Sequence, residues 1–185
     1  YASDSRGFAY LVADRLPPGY DLEVQAVTGS GIERTLEQLP IELADHHPDL
    51  ITVEVGINNL GTLNASQFAL YYLRLLNRIE ADAPSALVVA CTVPWTGQIP
   101  SATSYARALE FNGVITTAAT TYNELVAPCW DALLWHYEYL SDRDSFHPND
   151  LGHEALADAV WSVLAPALEE RQLPWRLFLP SVRLN

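Results

Sequence analysis

Two short apolar runs bound what this chain can fold into. Residues 50–55 (LITVEV) are β-branched at Ile51, Thr52, Val53 and Val55, and residues 86–93 (ALVVACTV) are apolar throughout. Both read as strands, the second as one covered on both faces, since alternation survives only where one face meets water. Between them a helical period runs from about Ala65 to Ala81, with Phe68, Tyr71, Tyr72, Leu75, Leu76 and Ile79 on one side, until Pro84 breaks it. Strand, helix, strand in this order is a βαβ unit, and such units build parallel sheets with helices on both faces.

The rest of the chain extends this pattern. Residues 7–16 place Phe8, Leu11, Val12 and Leu16 at helical spacing before Pro17-Pro18-Gly19 stops the helix. Residues 22–27 form a short β-prone run ending at Thr28-Gly29-Ser30-Gly31, and Ile32, Leu36, Leu39 and Leu43 mark a second helix that ends before His46-His47-Pro48. Residues 104–123 predict a further helix and residues 125–134 a short strand. Residues 150–168 predict a final amphipathic helix with Asp150 as its N-cap, and residues 171–185 a tail with two prolines. With 185 residues, 49% of them hydrophobic, one domain with a sizeable core is expected. The expected architecture is a three-layer α/β/α sandwich around a mostly parallel, flavodoxin-like sheet.

Composition removes several functions. Twenty-three acids face ten bases, all Arg, for a net charge of −13, which disfavours nucleic acid because phosphate binding needs clustered cations. No apolar run approaches the roughly 20 residues that span a bilayer. Cys91 and Cys129 lie in apolar surroundings and read as buried thiols, too few for a disulfide scaffold. His46, His47, His136, His147 and His153 show no zinc-ligand spacing, so no metal is expected. The sequence contains no Met; Tyr1 is therefore expected not to be the encoded start, and localisation is left open.

In open α/β sheets the site lies outside the carboxyl ends of the strands. That singles out residues 28–31, 56–59 and 94–98, and the stretch before the last helix. In that stretch stands Asp144-Ser145-Phe146-His147-Pro148-Asn149. An Asp three residues before a His lets the carboxylate accept from one imidazole nitrogen, which directs base chemistry to the other. Gly56-Ile57-Asn58-Asn59 ends the clearest strand, where a side-chain amide can donate to an oxyanion without adding charge. Thr28-Gly29-Ser30-Gly31 can present a backbone N–H to the same spot, and no Lys follows it as a phosphate loop would require. Trp95, and the group Trp130, Trp135, Tyr137 and Tyr139 ahead of the Asp-His loop, read equally as pocket wall and as packing.

Three blocks in this order, VTGSG, GINN and DSFHPN, resemble the SGNH (GDSL-type) hydrolase family over about residues 5–164. The flanking text HHPDLITVEVGINNL and HPNDLGHEALADAV is similar as well. The resemblance implies a serine esterase acting on a small-molecule ester without a cofactor. His147 would be the general base, Asp144 its orienting partner, Asn58 a side-chain donor to the oxyanion, and Gly29 (alternatively Gly31) a backbone donor. Asn59 stands where the family usually has Asp. The family's first block, a Gly-Asp-Ser turn carrying the nucleophile after a first strand, is not matched, since only seven residues precede Phe8. The strand and its serine are expected upstream of Tyr1, with Ser5 of Ser3-Asp4-Ser5 as the weaker alternative. A catalytically inert relative binding an acylated or carbohydrate ligand is the second reading. A flavodoxin-like receiver or nucleotide-binding module is the third, and it leaves the Asp-x-x-His-Pro segment unexplained.

Overall fold

The computed structural model describes residues 7–97 and 102–176. In chain order it contains α1 (Phe8–Ala13), α2 (Ile32–His46), β1 (Leu50–Val53), α3 (Ala65–Asp82), β2 (Leu87–Cys91), α4 (Ala102–Thr121), β3 (Leu125–Ala127), α5 (Cys129–Leu133) and α6 (Asp150–Arg176). Single 3-10 turns at Ile57–Asn59 and Tyr137–Tyr139 complete it.

The strands form one sheet in the order β1-β2-β3, and both pairings are parallel. Register places Leu50 beside Leu87 and Val89 beside Leu125. Because strand side chains alternate between faces, β2 feeds two cores. Val88 and Ala90 join Val53, Phe68, Tyr72 and Phe111 on one side, under α2, α3 and most of α4. Val89 and Cys91 join Ala127, Trp130, Leu133 and Leu164 on the other, under α1, α5 and α6. The result is the expected α/β sandwich of three layers. Phe68 and Phe111 stack at 3.9 Å between centroids, 6° from parallel, and truncating either to Ala would cost about 3–5 kcal/mol. Cys91 and Cys129 are both buried thiols.

Local chemistry sets the helix ends. The Asn64 side chain accepts from Gln67 N while the Gln67 side chain accepts from Asn64 N, a reciprocal box opening α3. His47 closes α2 in the left-handed conformation, and His46 lies 3.5 Å from Glu42 one turn back.

Three expectations are corrected. Residues 22–27 are not a strand. They pair with nothing among the described residues and leave Leu22, Val24 and Val27 each at least 40% exposed; β propensity without a hydrogen-bonding neighbour makes no strand. The last helix runs on through Arg176, taking in the first residues of the expected tail. Its N-cap is Asn149, not Asp150: Gly152 N donates to Asn149 Oδ1 at 3.1 Å, which makes Asp150 the first helical residue. Ser5 and residues 177–185 lie outside the described residues.

Among the described residues no helix is long and apolar enough to cross a membrane, and no group of three His, Cys, Asp or Glu could hold a metal.

Candidate active site

The Asp144–His147 segment is held in shape before any ligand arrives. Ser141, buried, accepts from Asp144 N and Ser145 N through its carbonyl at 3.3 and 2.8 Å, and its own N–H donates to His147 O at 2.8 Å. Ser145 adopts a positive φ of 50° to close the turn. Within it, Asp144 Oδ1 accepts from Phe146 N and His147 N, each at 3.0 Å, and Asp144 Oδ2 meets His147 Nδ1 at 2.7 Å. The bond to the imidazole first, then the two backbone N–H groups, hold the Asp144 carboxyl well below the usual carboxylate range. An ionised carboxylate on Nδ1 directs proton exchange to Nε2.

Asn149 fastens this loop to what precedes it. Its Nδ2 donates to Glu138 O at 2.8 Å and to Leu140 O at 3.0 Å, and its N–H donates to Tyr139 O at 2.9 Å. Gly152 is required here, since a Cβ would sit 2.3 Å from Tyr139 O and 2.9 Å from Pro148 Cβ. His153, one residue on, receives Phe8 N on Nδ1 at 3.3 Å and so ties α6 to α1. Burial lowers its pKa, against an opposing pull from Asp150.

Asn58 stands on the turn that ends β1, and its Nδ2 donates to Ser30 O at 3.0 Å. One N–H is thereby spent on orientation, leaving the geometry of the other fixed. Gly29, next to Ser30, lies at φ 73°, in a turn closed by Ser30 N and Ser30 Oγ on Val27 O at 3.0 and 2.9 Å. Gly31 has a different reason to be Gly: a Cβ would fall 2.6 Å from Asn59 Nδ2 and 2.7 Å from Glu33 Oε2. Asn59 is 2% exposed, with Oδ1 accepting from Ile32 N at 2.9 Å and Nδ2 donating to Glu33 Oε2 at 2.8 Å. It clamps the start of α2 to the turn that carries Asn58.

Each pair is held by its own contacts. Asn58 and Gly29 are joined through Ser30, and Asp144 and His147 are joined directly. Gly56 abuts Val93 beyond β2, where a Cβ would meet Val93 Cγ2 at 2.9 Å, and a Cβ on Gly97 would meet Ser145 O at 3.1 Å. Asn112 of α4 fixes the chain between them, accepting from Val93 N at 2.7 Å and donating to Val93 O at 3.4 Å. Pattern reading missed Ser141, Asn149 and Asn112; only Asn149 carried a signal, as an Asn directly before a helix.

Comparison with known proteins bears on the fold. The sequence pattern of the GDSL-like Lipase/Acylhydrolase family matches residues 2–155. No curated protein matches the chain. Among solved structures, TesA superposes with a TM-score of 0.73 at 22% identity, over 89% of this chain and 90% of that one. The esterase EstA from Pseudoalteromonas sp., in a structure inhibited by monoethylphosphonate, gives 0.71 at 16% identity over 90% of each chain. An acetylxylan esterase from Geobacillus stearothermophilus gives 0.73 at 15% identity, over 85% of this chain and 80% of that one. At such identities these likenesses establish the shared α/β fold.

Proposed function

The chain belongs to the GDSL-like Lipase/Acylhydrolase family, and from that premise we propose that it hydrolyses a small carboxylic ester through an acyl-enzyme. A serine preceding α1 attacks the ester carbonyl. His147 Nε2 takes the hydroxyl proton, and Asp144 holds the Nδ1 side and stabilises the imidazolium that forms. The developing oxyanion receives the second Asn58 amide N–H, the Gly29 N–H and the N–H of the serine itself. Collapse returns the proton from His147 to the leaving alcohol. Water, deprotonated by His147, then attacks the acyl carbon; as that intermediate collapses the acyl–serine bond breaks, His147 returns the proton to the serine oxygen, and the acid is released. A positioned base supplies about 10²–10⁴ in rate, and each oxyanion donor about 10²–10³.

One observation carries this reading: the 2.7 Å contact of His147 Nδ1 with a carboxylate that two backbone N–H groups hold in place. A histidine placed for packing alone has no use for a fixed anion on one nitrogen.

Covalent capture tests it. A fluorophosphonate forms a tetrahedral adduct with an activated serine, so the protein should label stoichiometrically on a serine before Phe8. His147→Ala should slow labelling by about 10² or more. No adduct, or an adduct on a serine elsewhere in the chain, would overturn the assignment.

A further inference from the structure

Helix α1 opens without a cap of its own. Gly7 stands at its N-cap and has no side chain to receive the first N–H groups, and such donors need partners elsewhere. The partner comes from the far end of the chain. Phe8 N donates to His153 Nδ1 at 3.3 Å, from a residue 145 positions away. Because an N–H only donates, Nδ1 must carry its lone pair, and the ring stands as the neutral tautomer with its proton on Nε2. Phe8 and His153 are both partly buried, where an unanswered donor is costly.

The same residue is tied to the Asp144–His147 turn through the start of α6. His153 N donates to Asn149 O at 2.9 Å, and Asn149 Oδ1 accepts from Gly152 N at 3.1 Å. Asn149 bonds back to Tyr139 and Leu140, and Leu140 in turn bridges Pro148. One short, cross-bonded piece, residues 147–153, thus carries the candidate base at one end and the partner of α1 at the other. Burial favours the neutral His153 ring; Asp150 of its own helix pulls the other way, and positive charge, that of a protonated His147 included, adds to burial. Of the elements packed on α6, α1, β2 and β3 carry no charged side chain. Asp131 of α5 is exposed, and Glu138 of the 137–139 turn is engaged by His136.

We propose that His153 is a positioning residue for ester hydrolysis. Neutral, it holds the first turn of α1 on the 147–153 piece and so sets the chain entering α1 against His147; protonated, it lets go. The proposal rests on the ester-hydrolase reading above, in which the nucleophile precedes α1, and adds a second acid-side control to it. A proton on Nδ1 turns an acceptor into a donor facing Phe8 N, so attraction becomes repulsion. His153 acts through geometry alone, and a misplacement of about 1 Å costs on the order of 10²-fold in rate. Its folded pKa lies below the unfolded value, so the bond persists at neutral pH and is lost as pH falls through the folded value.

The test compares wild type with His153→Leu and with His153→Asn, whose Oδ1 stands near the place of Nδ1 and does not titrate. With ethanol release from ethyl acetate near pH 8, His153→Leu should lose about 10–100-fold in kcat with little change in KM. His153→Asn should recover most of that loss. On the acid side, log kcat/KM of wild type should steepen from a slope of one toward two as His153 follows His147 in taking a proton, and His153→Asn should stay at one. Unchanged kcat in His153→Leu, or the same acid limb in wild type and His153→Asn, would overturn the positioning role. Where His153→Leu does not fold, the acid limb decides. The bond itself is read without turnover, from the nuclear magnetic resonance shift of the Phe8 amide. That shift should follow the His153 titration in wild type and stay flat in His153→Asn; a Phe8 amide indifferent to His153 would overturn the proposal. If wild type turns over no ester at all, the hydrolase reading fails and takes the catalytic role with it, whereas a Phe8 amide that titrates still upholds the bond.

Discussion

Exchanging Asn59 for Asp, the residue usual at this place in the family it resembles, should destabilise this chain, and only while carboxylates are ionised. The amide serves two partners, Ile32 N through Oδ1 and Glu33 Oε2 through Nδ2. Aspartate keeps the first bond and turns the second into two carboxylate oxygens set 2.8 Å apart. Losing a hydrogen bond to a charged acceptor costs about 1.5–3 kcal/mol. Repulsion adds to this until the pair separates or captures a proton, and one pKa unit of elevation corresponds to about 1.4 kcal/mol. A net loss of about 2–4 kcal/mol near pH 8 follows. The new carboxyl has a folded pKa above its unfolded value, so the native state binds the extra proton more tightly. Stability therefore falls as pH rises through that window and recovers below about pH 4, where one proton bridges the two groups. Thermal unfolding should show Asn59→Asp melting about 5–12 °C below wild type at pH 8, with the gap narrowing at pH 4.5. Equal melting at pH 8, or a gap that ignores pH, would refute the clamp.

Other outcomes follow from single contacts. Burial lowers the His153 pKa, so the unfolded state takes up a proton first, and stability should decline as pH falls from about 7 to 5. His153→Gln should flatten that slope in urea titrations. Tyr72 is fully buried, and its hydroxyl has no hydrogen-bond partner among the described residues. Tyr72→Phe should accordingly stabilise by about 1 kcal/mol and raise Tm by about 2–4 °C, and a lower Tm would contradict this. Gly152→Ala forces a Cβ to within 2.3 Å of Tyr139 O. Chemical denaturation should report a loss of about 1–3 kcal/mol, with ester turnover falling as the His147 loop shifts.

Much of this was legible because hydrophobic period reports burial directly. The stripe Phe68, Tyr72, Leu75, Leu76 and Ile79 is the buried face of α3, and the unbroken apolar run around Val88 to Cys91 is a strand with a core on each side. Residues 22–27 misled because period and propensity describe a side chain's preference, whereas a strand also needs a neighbour's backbone. The cap of α6 was misplaced by one residue because Asn149 and Asp150 are equally good caps in isolation. Three further bonds from Asn149 to residues 138–140 decide between them, and these are invisible in the local sequence. In the candidate site, the short-range Asp144–His147 contact was readable from spacing. The Asn58–Ser30 and Asn112–Val93 bonds join residues 28 and 19 positions apart, and only the folded topology supplies them.

The proposed role of His147, steered by Asp144, is to move the proton in ester cleavage. It is tested most directly by acetate release from ethyl acetate, followed by pH-stat in wild type and His147→Ala. Wild type should turn over measurably, and kcat/KM should fall by about 10³ or more in the variant, with folding unchanged because the ring is nearly half exposed. A His147→Ala protein that retained activity within about tenfold of wild type would contradict it.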